Sequence, residues 1–67
     1  METYQERVCE EYNALVDKVE SLTTFIQENA TFKTLDDTEQ LLLMGQLGAM
    51  SAYGVILNLR VKKSNLK

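Results

Sequence analysis

Six residues, Val8, Tyr12, Leu15, Val19, Leu22 and Ile26, follow one another at alternating steps of four and three. That spacing is the repeat of a helix that shows one apolar stripe to a neighbour, and a strand, with its two-residue period, would scatter it over both faces. Val16 and Phe25 widen the stripe, and the chain has no proline to interrupt it. Thr3 stands where a cap belongs, with Glu6 three residues on to complete a capping box. The spacing therefore predicts a helix from about residue 3 to about residue 28, roughly 39 Å long.

Between residues 29 and 35 the pattern lapses into a turn, where Phe32 and Leu35 are expected to tuck back as an apolar clasp. A second helix is expected from about residue 36 to about residue 62, capped by Asp36 with Glu39 at the third position. Leu43, Leu47, Met50, Leu57 and Val61 form its stripe, Gly54 fills the gap in the repeat, and Lys62 and Lys63 suit its last turn ahead of a short basic tail. So short a linker turns the second helix back along the first. The expected fold is all-α, one domain over residues 1–67: an antiparallel two-helix hairpin that oligomerises into a helical bundle.

Oligomerisation is expected because a pair of helices has a single buried contact line. Leu41, Leu42, Leu43 and Met44 are consecutive, as are Val55, Ile56 and Leu57 with Leu59 close behind, so apolar groups cover more than half of the second helix's circumference. A helix apolar on several sides requires more than one neighbour. Gly45, Gly48 and Ala52 add a smooth stripe, and each internal glycine costs about 1 kcal/mol against alanine. That cost points to a close approach by another helix or by a flat ligand. Copies of the chain, at least two, are expected to share these sides and to build clefts where they join.

Composition removes most chemistry. The chain has no histidine and one cysteine, which excludes zinc fingers, Ser-His-Asp and Cys-His catalysis, and a disulfide framework. Cys9 lies near the stripe of an acidic helix, an environment that does not favour the thiolate. Glu6 and Glu10 share a face, as carboxylates on solvated helices commonly do. No glycine-rich phosphate loop is present, no enzyme is expected, and neither a metal nor a cofactor. No uninterrupted apolar run approaches the roughly 18 residues of a membrane span, and no signal peptide opens the chain, so a cytoplasmic protein without membrane partners is expected. The formal charge of −3 hides a gradient. Residues 1–28 carry seven acids against Arg7 and Lys18, whereas Arg60, Lys62, Lys63 and Lys67 close the chain without an acid. The acidic half makes a nucleic-acid polymer a poor partner.

The polar residues of the second helix are more informative. Gln46, Tyr53 and Arg60 recur at heptad spacing and so line one face. In a hairpin turning near residue 31, facing residue numbers sum to roughly 65, which sets Tyr12 opposite Tyr53 and brings Tyr4 and Arg7 to the level of Leu57 to Val61. Aromatic faces with guanidinium groups suit a nucleotide, whose base stacks on a ring for about 1–3 kcal/mol and whose phosphate takes a bidentate arginine. The plainer alternative makes Tyr12 and Tyr53 rim aromatics and pairs Arg7 and Arg60 with Glu11 or neighbouring acids.

Tyr4-Gln5, Arg7-Val8, Leu15, Lys18, Leu22, Phe25-Ile26, Phe32, Leu35, Glu39-Gln40, Leu42-Leu43, Gln46, Met50, Tyr53, Leu57 and Arg60-Val61 together resemble a family of small phage proteins named for their relation to a crAss-like phage gene product. The likeness spans about residues 4–61 and implies a phage origin. In architecture the chain is also similar to the phage anti-CBASS and anti-Thoeris sponges, oligomers of helical hairpins that sequester cyclic oligonucleotides or ADP-ribose-type signals without cleaving them. What the architectural likeness implies is an anti-defence sponge in the host cytoplasm. Tyr4, Tyr12 and Tyr53 would then stack bases, Arg7 and Arg60 would hold phosphate, Asn13 and Gln46 would read base or ribose edges, and Lys18 or Lys62 would assist from a neighbouring chain. The alternative expectation is a non-catalytic module that grips a host or phage protein with the same face.

Overall fold

The computed structural model describes residues 3–65, and it is helical almost throughout. Helix α1 runs Tyr4–Glu28, α2 is the single turn Ala30–Thr34, and α3 runs Asp37–Asn65. Among the described residues there is no strand. Lys67, the last charge of the expected basic tail, lies outside them.

The sequence signals for the starts of the two long helices act as expected. The Thr3 side chain accepts from the Glu6 N–H at 3.1 Å, and the Asp36 carboxylate accepts from the Glu39 N–H at 2.8 Å. Each satisfies an N–H that the first helical turn would otherwise leave without a partner. The linker differs from the irregular turn expected over residues 29–35. Asn29 ends α1, donating its N–H to the Phe25 carbonyl, and its side chain caps α2 by accepting from the Thr31 N–H at 2.8 Å. One residue that closes one helix and opens the next makes a corner without glycine or proline. Phe32 is buried there and meets Phe25 edge to face, ring centroids 6.0 Å apart. The Gln40 amide donates to the carbonyls of Phe32 and Leu35, tying the corner to α3. Helix α3 also runs past the expected end near residue 62, since neither glycine nor proline follows Gly54 to stop it.

Helices α1 and α3 lie along each other with their sequences running in opposite directions, because Tyr4 bonds to Arg60 and Glu11 to Tyr53. The body measures 48 by 19 by 17 Å, two helices wide. Its core is Val8, Leu15 and the fully buried Leu57, with Tyr12, Val19, Met50 and Val61 packed around them. Across the same line, a Cβ added at Gly54 would sit 3.8 Å from the Leu15 side chain, an ordinary contact. Gly45 and Gly48 are different: among the described residues, nothing beyond their own stretch of helix lies within 4 Å of an added Cβ at either. The chain's own packing therefore does not account for them.

One expectation needs correction. Helix α3 over Asp37–Lys63 is long and apolar enough to cross a membrane by length and composition. Counting uninterrupted apolar residues missed it, because Gln46, Ser51 and Asn58 break the run without adding charge between Leu41 and Leu59. Little of that stretch is buried within the chain.

Candidate functional site

The 100° step between helix residues divides the polar groups beside the core line into two flanks. On one flank α1 contributes Tyr4, Arg7 and Glu11, and α3 contributes Tyr53 and Arg60. The Arg60 guanidinium lies over the Tyr4 ring, 5.4 Å from its centroid, and also donates to the Tyr4 hydroxyl. A cation within reach of the ring and a hydrogen bond to its hydroxyl together tie the two side chains to each other. Tyr4, Arg7, Val8, Glu11 and Arg60 line an open concavity of about 280 Å³ at the end of the molecule remote from α2. Four of the residues expected to bind ligand thus share one flank, and three of them one hollow.

Tyr53 borders this hollow by donating its hydroxyl to the Glu11 carboxylate. Acceptance of that hydrogen bond by the carboxylate, with desolvation and the nearby negative charge, raises the Tyr53 phenol above its ordinary value of 10.0, against the opposing charge of Arg60. A phenol raised on folding contributes its stability in full below pH 10 and loses it as pH climbs through the raised folded value. In an absorbance titration compared with Tyr53→Phe, the Tyr53 midpoint is expected above 10, and Glu11→Gln should bring it back down. A midpoint indifferent to Glu11→Gln would show that the hydrogen bond does not persist in solution.

The remaining expected residues lie elsewhere. Tyr12 does not face Tyr53. Its hydroxyl accepts from the Asn58 amide at 3.0 Å on the opposite flank. The lengthwise register is close to expectation, since Tyr4 with Arg60 and Glu11 with Tyr53 each sum to 64. One step along α1 rotates the side chain by about 100°, so Glu11 and not Tyr12 comes to Tyr53. Asn13 is exposed and lines none of the concavities described here. Gln46 stands about 21 Å along α3 from Arg60, in a separate hollow with Asp17, Lys18, Ser21, Leu22 and Met50, its amide directed at the Met50 sulfur. Lys62 is exposed.

Two residues beyond the expected set matter. Glu11 puts a carboxylate at the edge of the arginine hollow, so an anionic ligand must meet Arg7 and Arg60 on the side away from it. Asn58 is the polar neighbour of the buried Leu57, and an amide inside the uncharged stretch from Leu41 to Leu59 is the available signal for it. Asn58 and Tyr12 also line a larger groove, about 470 Å³, with Leu15, Val16, Val19 and Val55. Size favours that groove, but its lining is apolar and its charged member is Glu20, the wrong sign for phosphate. Charge favours the smaller hollow. No group of three or more His, Cys, Asp or Glu among the described residues is placed to hold a metal ion.

Comparison with known proteins agrees with a small phage protein. The family model described as Sequestin matches residues 2–63. A protein of Enterobacteria phage T4, described as an uncharacterized 7.5 kDa protein in the denB-rIIB intergenic region, is 41% identical over 61 residues, covering 91% of this chain and 94% of its own length. No solved structure matches.

Proposed function

The chain belongs to the Sequestin family, and from that premise we propose that it is a phage anti-defence protein that binds and sequesters a nucleotide-derived immune signal without catalysis. The ligand is a cyclic oligonucleotide or an ADP-ribose-type molecule, held in the cytoplasm of the infected cell. The family's name and the phage T4 relative support sequestration and phage origin respectively. The observation that carries the nucleotide reading is the Arg60 guanidinium over the Tyr4 ring with Arg7 in the same hollow. An aromatic plane and two guanidinium groups match the two halves of a nucleotide, the base by stacking and the phosphate by charge-assisted hydrogen bonds. At about 280 Å³ the hollow lies at the small end of ligand pockets and suits one nucleotide unit. Tyr53 and Glu11 form its wall.

Sequestration works by mass action, so the protein must bind tightly and return the ligand unaltered. The test is a thermal-shift screen across cyclic dinucleotides, cyclic trinucleotides and ADP-ribose derivatives. At a hundredfold excess over its Kd, a true ligand stabilises the fold by about 2.7 kcal/mol. The expected result is one class that raises the melting temperature and is recovered intact after denaturation. If no class does so at ligand excess, the nucleotide reading fails, and a stoichiometric host protein recovered on the same flank would replace it.

A further inference from the structure

Helix α3 carries two apolar seams. The first, Leu43, Leu47, Met50, Gly54, Leu57 and Val61, includes the residues that pack on α1. The second, Leu41, Gly45, Gly48, Ala52, Val55 and Leu59, repeats the same steps of four and three, each member two residues earlier. Two residues are about 200° of helix, so the second seam lies almost opposite the first. In the single chain it is bare: Leu41 is 67% exposed, Val55 60% and Leu59 57%, with Met44 and Ile56 exposed on either side. Apolar faces of this extent mark an interaction surface.

We propose that the second seam is the interface of a two-fold homodimer in which α3 packs antiparallel on α3 of a second copy. The occupant is identified by the seam's complementarity to itself. With the dyad at the level of Met50, facing residue numbers sum to 100. Leu41 then meets Leu59, Gly48 meets Ala52, and the Val55 side chain fills the open space over Gly45. Each pair then occurs twice, as an isologous contact requires, with the small Gly48 and Ala52 together near the dyad and Val55 over Gly45. The charges agree. Asp37, in the first turn of α3, comes to the level of Lys63 in its last turn, and the two helix dipoles oppose. A parallel pair would set Gly45 on Gly45 and acid on acid. The groove beside Tyr12 is continuous with this face, since Val55 and Leu59 line both. A lipid surface fits less well. The other side of α3 packs on α1, whose charged residues are exposed to solvent, and lipid has no use for a second repeat of fours and threes. The dimer does not depend on the nucleotide reading, because Tyr4, Arg7 and Arg60 lie on a different side of α3 from the seam.

Sedimentation of the full chain through the micromolar range should give twice its 7.6 kDa mass. Gly45→Leu is the informative variant. Within one chain the new side chain meets nothing at its Cβ, and leucine favours helix over glycine. Its circular dichroism should therefore stay helical while association weakens by about tenfold or more, the scale of overpacking a closed contact. Orientation is read in a Cys9→Ser background with a short bis-maleimide. Gly45→Cys combined with Val55→Cys should cross-link copies, and Gly45→Cys alone should not. Single-copy mass at every concentration, undiminished association of Gly45→Leu, cross-linking by Gly45→Cys alone, or recovery of the chain only with phosphatidylcholine vesicles would each overturn the proposal.

Discussion

Leu57→Ala is expected to lose about 2–5 kcal/mol of stability, the range for truncating a buried leucine. Leu57 has no solvent-exposed surface and meets Val8 and Leu15 where the two long helices share their core. A body two helices wide cannot redistribute the loss, because few side chains are buried with it. For a domain this small 1 kcal/mol moves the melting temperature by about 4–8 °C, so the transition should fall by about 8 °C or more or disappear. Leu59→Ala is the matched control. It removes the same atoms two residues away from a side chain that a single copy leaves exposed. Chemical denaturation at several protein concentrations separates the two. Leu57→Ala should destabilise at all of them, and Leu59→Ala should act through the concentration dependence. A Leu57→Ala loss under about 1 kcal/mol would mean that α1 and α3 do not pack as described.

Arg60→Ala is expected to weaken the nucleotide-derived ligand by about tenfold to a hundredfold, as loss of a charged hydrogen-bonding partner with about 1.5–3 kcal/mol at stake. It also removes the cation beside Tyr4, so the aromatic ring loses its neighbour. Arg7→Ala should act in the same direction from across the hollow, and the pair should not be additive if both hold one phosphate. Gln46→Ala distinguishes a local site from an extended one. Standing about 21 Å along the helix from Arg60, it should leave binding unchanged if the ligand sits in the terminal hollow alone. Isothermal titration with the best compound of the thermal screen reads all three. Equal affinity for wild type and Arg60→Ala would remove the arginine hollow from the binding site while leaving the family assignment untouched.

The two flanks show where reading the sequence was sufficient and where it was not. Thr3 and Asp36 are legible as caps because a cap depends on residues within one turn, and both make their hydrogen bonds. The lengthwise level of Tyr4 against Arg60 is legible because the linker length sets it. Tyr12 went to the wrong flank because position around a helix is more demanding than position along it, and one residue changes it by about 100°. Asn29 read as the end of a pattern, yet it caps two helices at once, and that required the Phe25–Phe32 contact to fold the corner.

The existence and starting points of the two long helices, their caps, the registers of four and three and the opposed charges at the ends of α3 were all decided by sequence, since each is a short-range property of side chains along one helix. Which side of α1 supplies the partner for Tyr53, that a carboxylate edges the arginine hollow, and that Gly45 and Gly48 face open space were decided only by tertiary structure. The physical reason is rotational. A repeat shared by two helices states that they meet, but the angle at which they settle follows from fitting Leu57 between Val8 and Leu15, and that packing turns every polar residue toward one flank or the other.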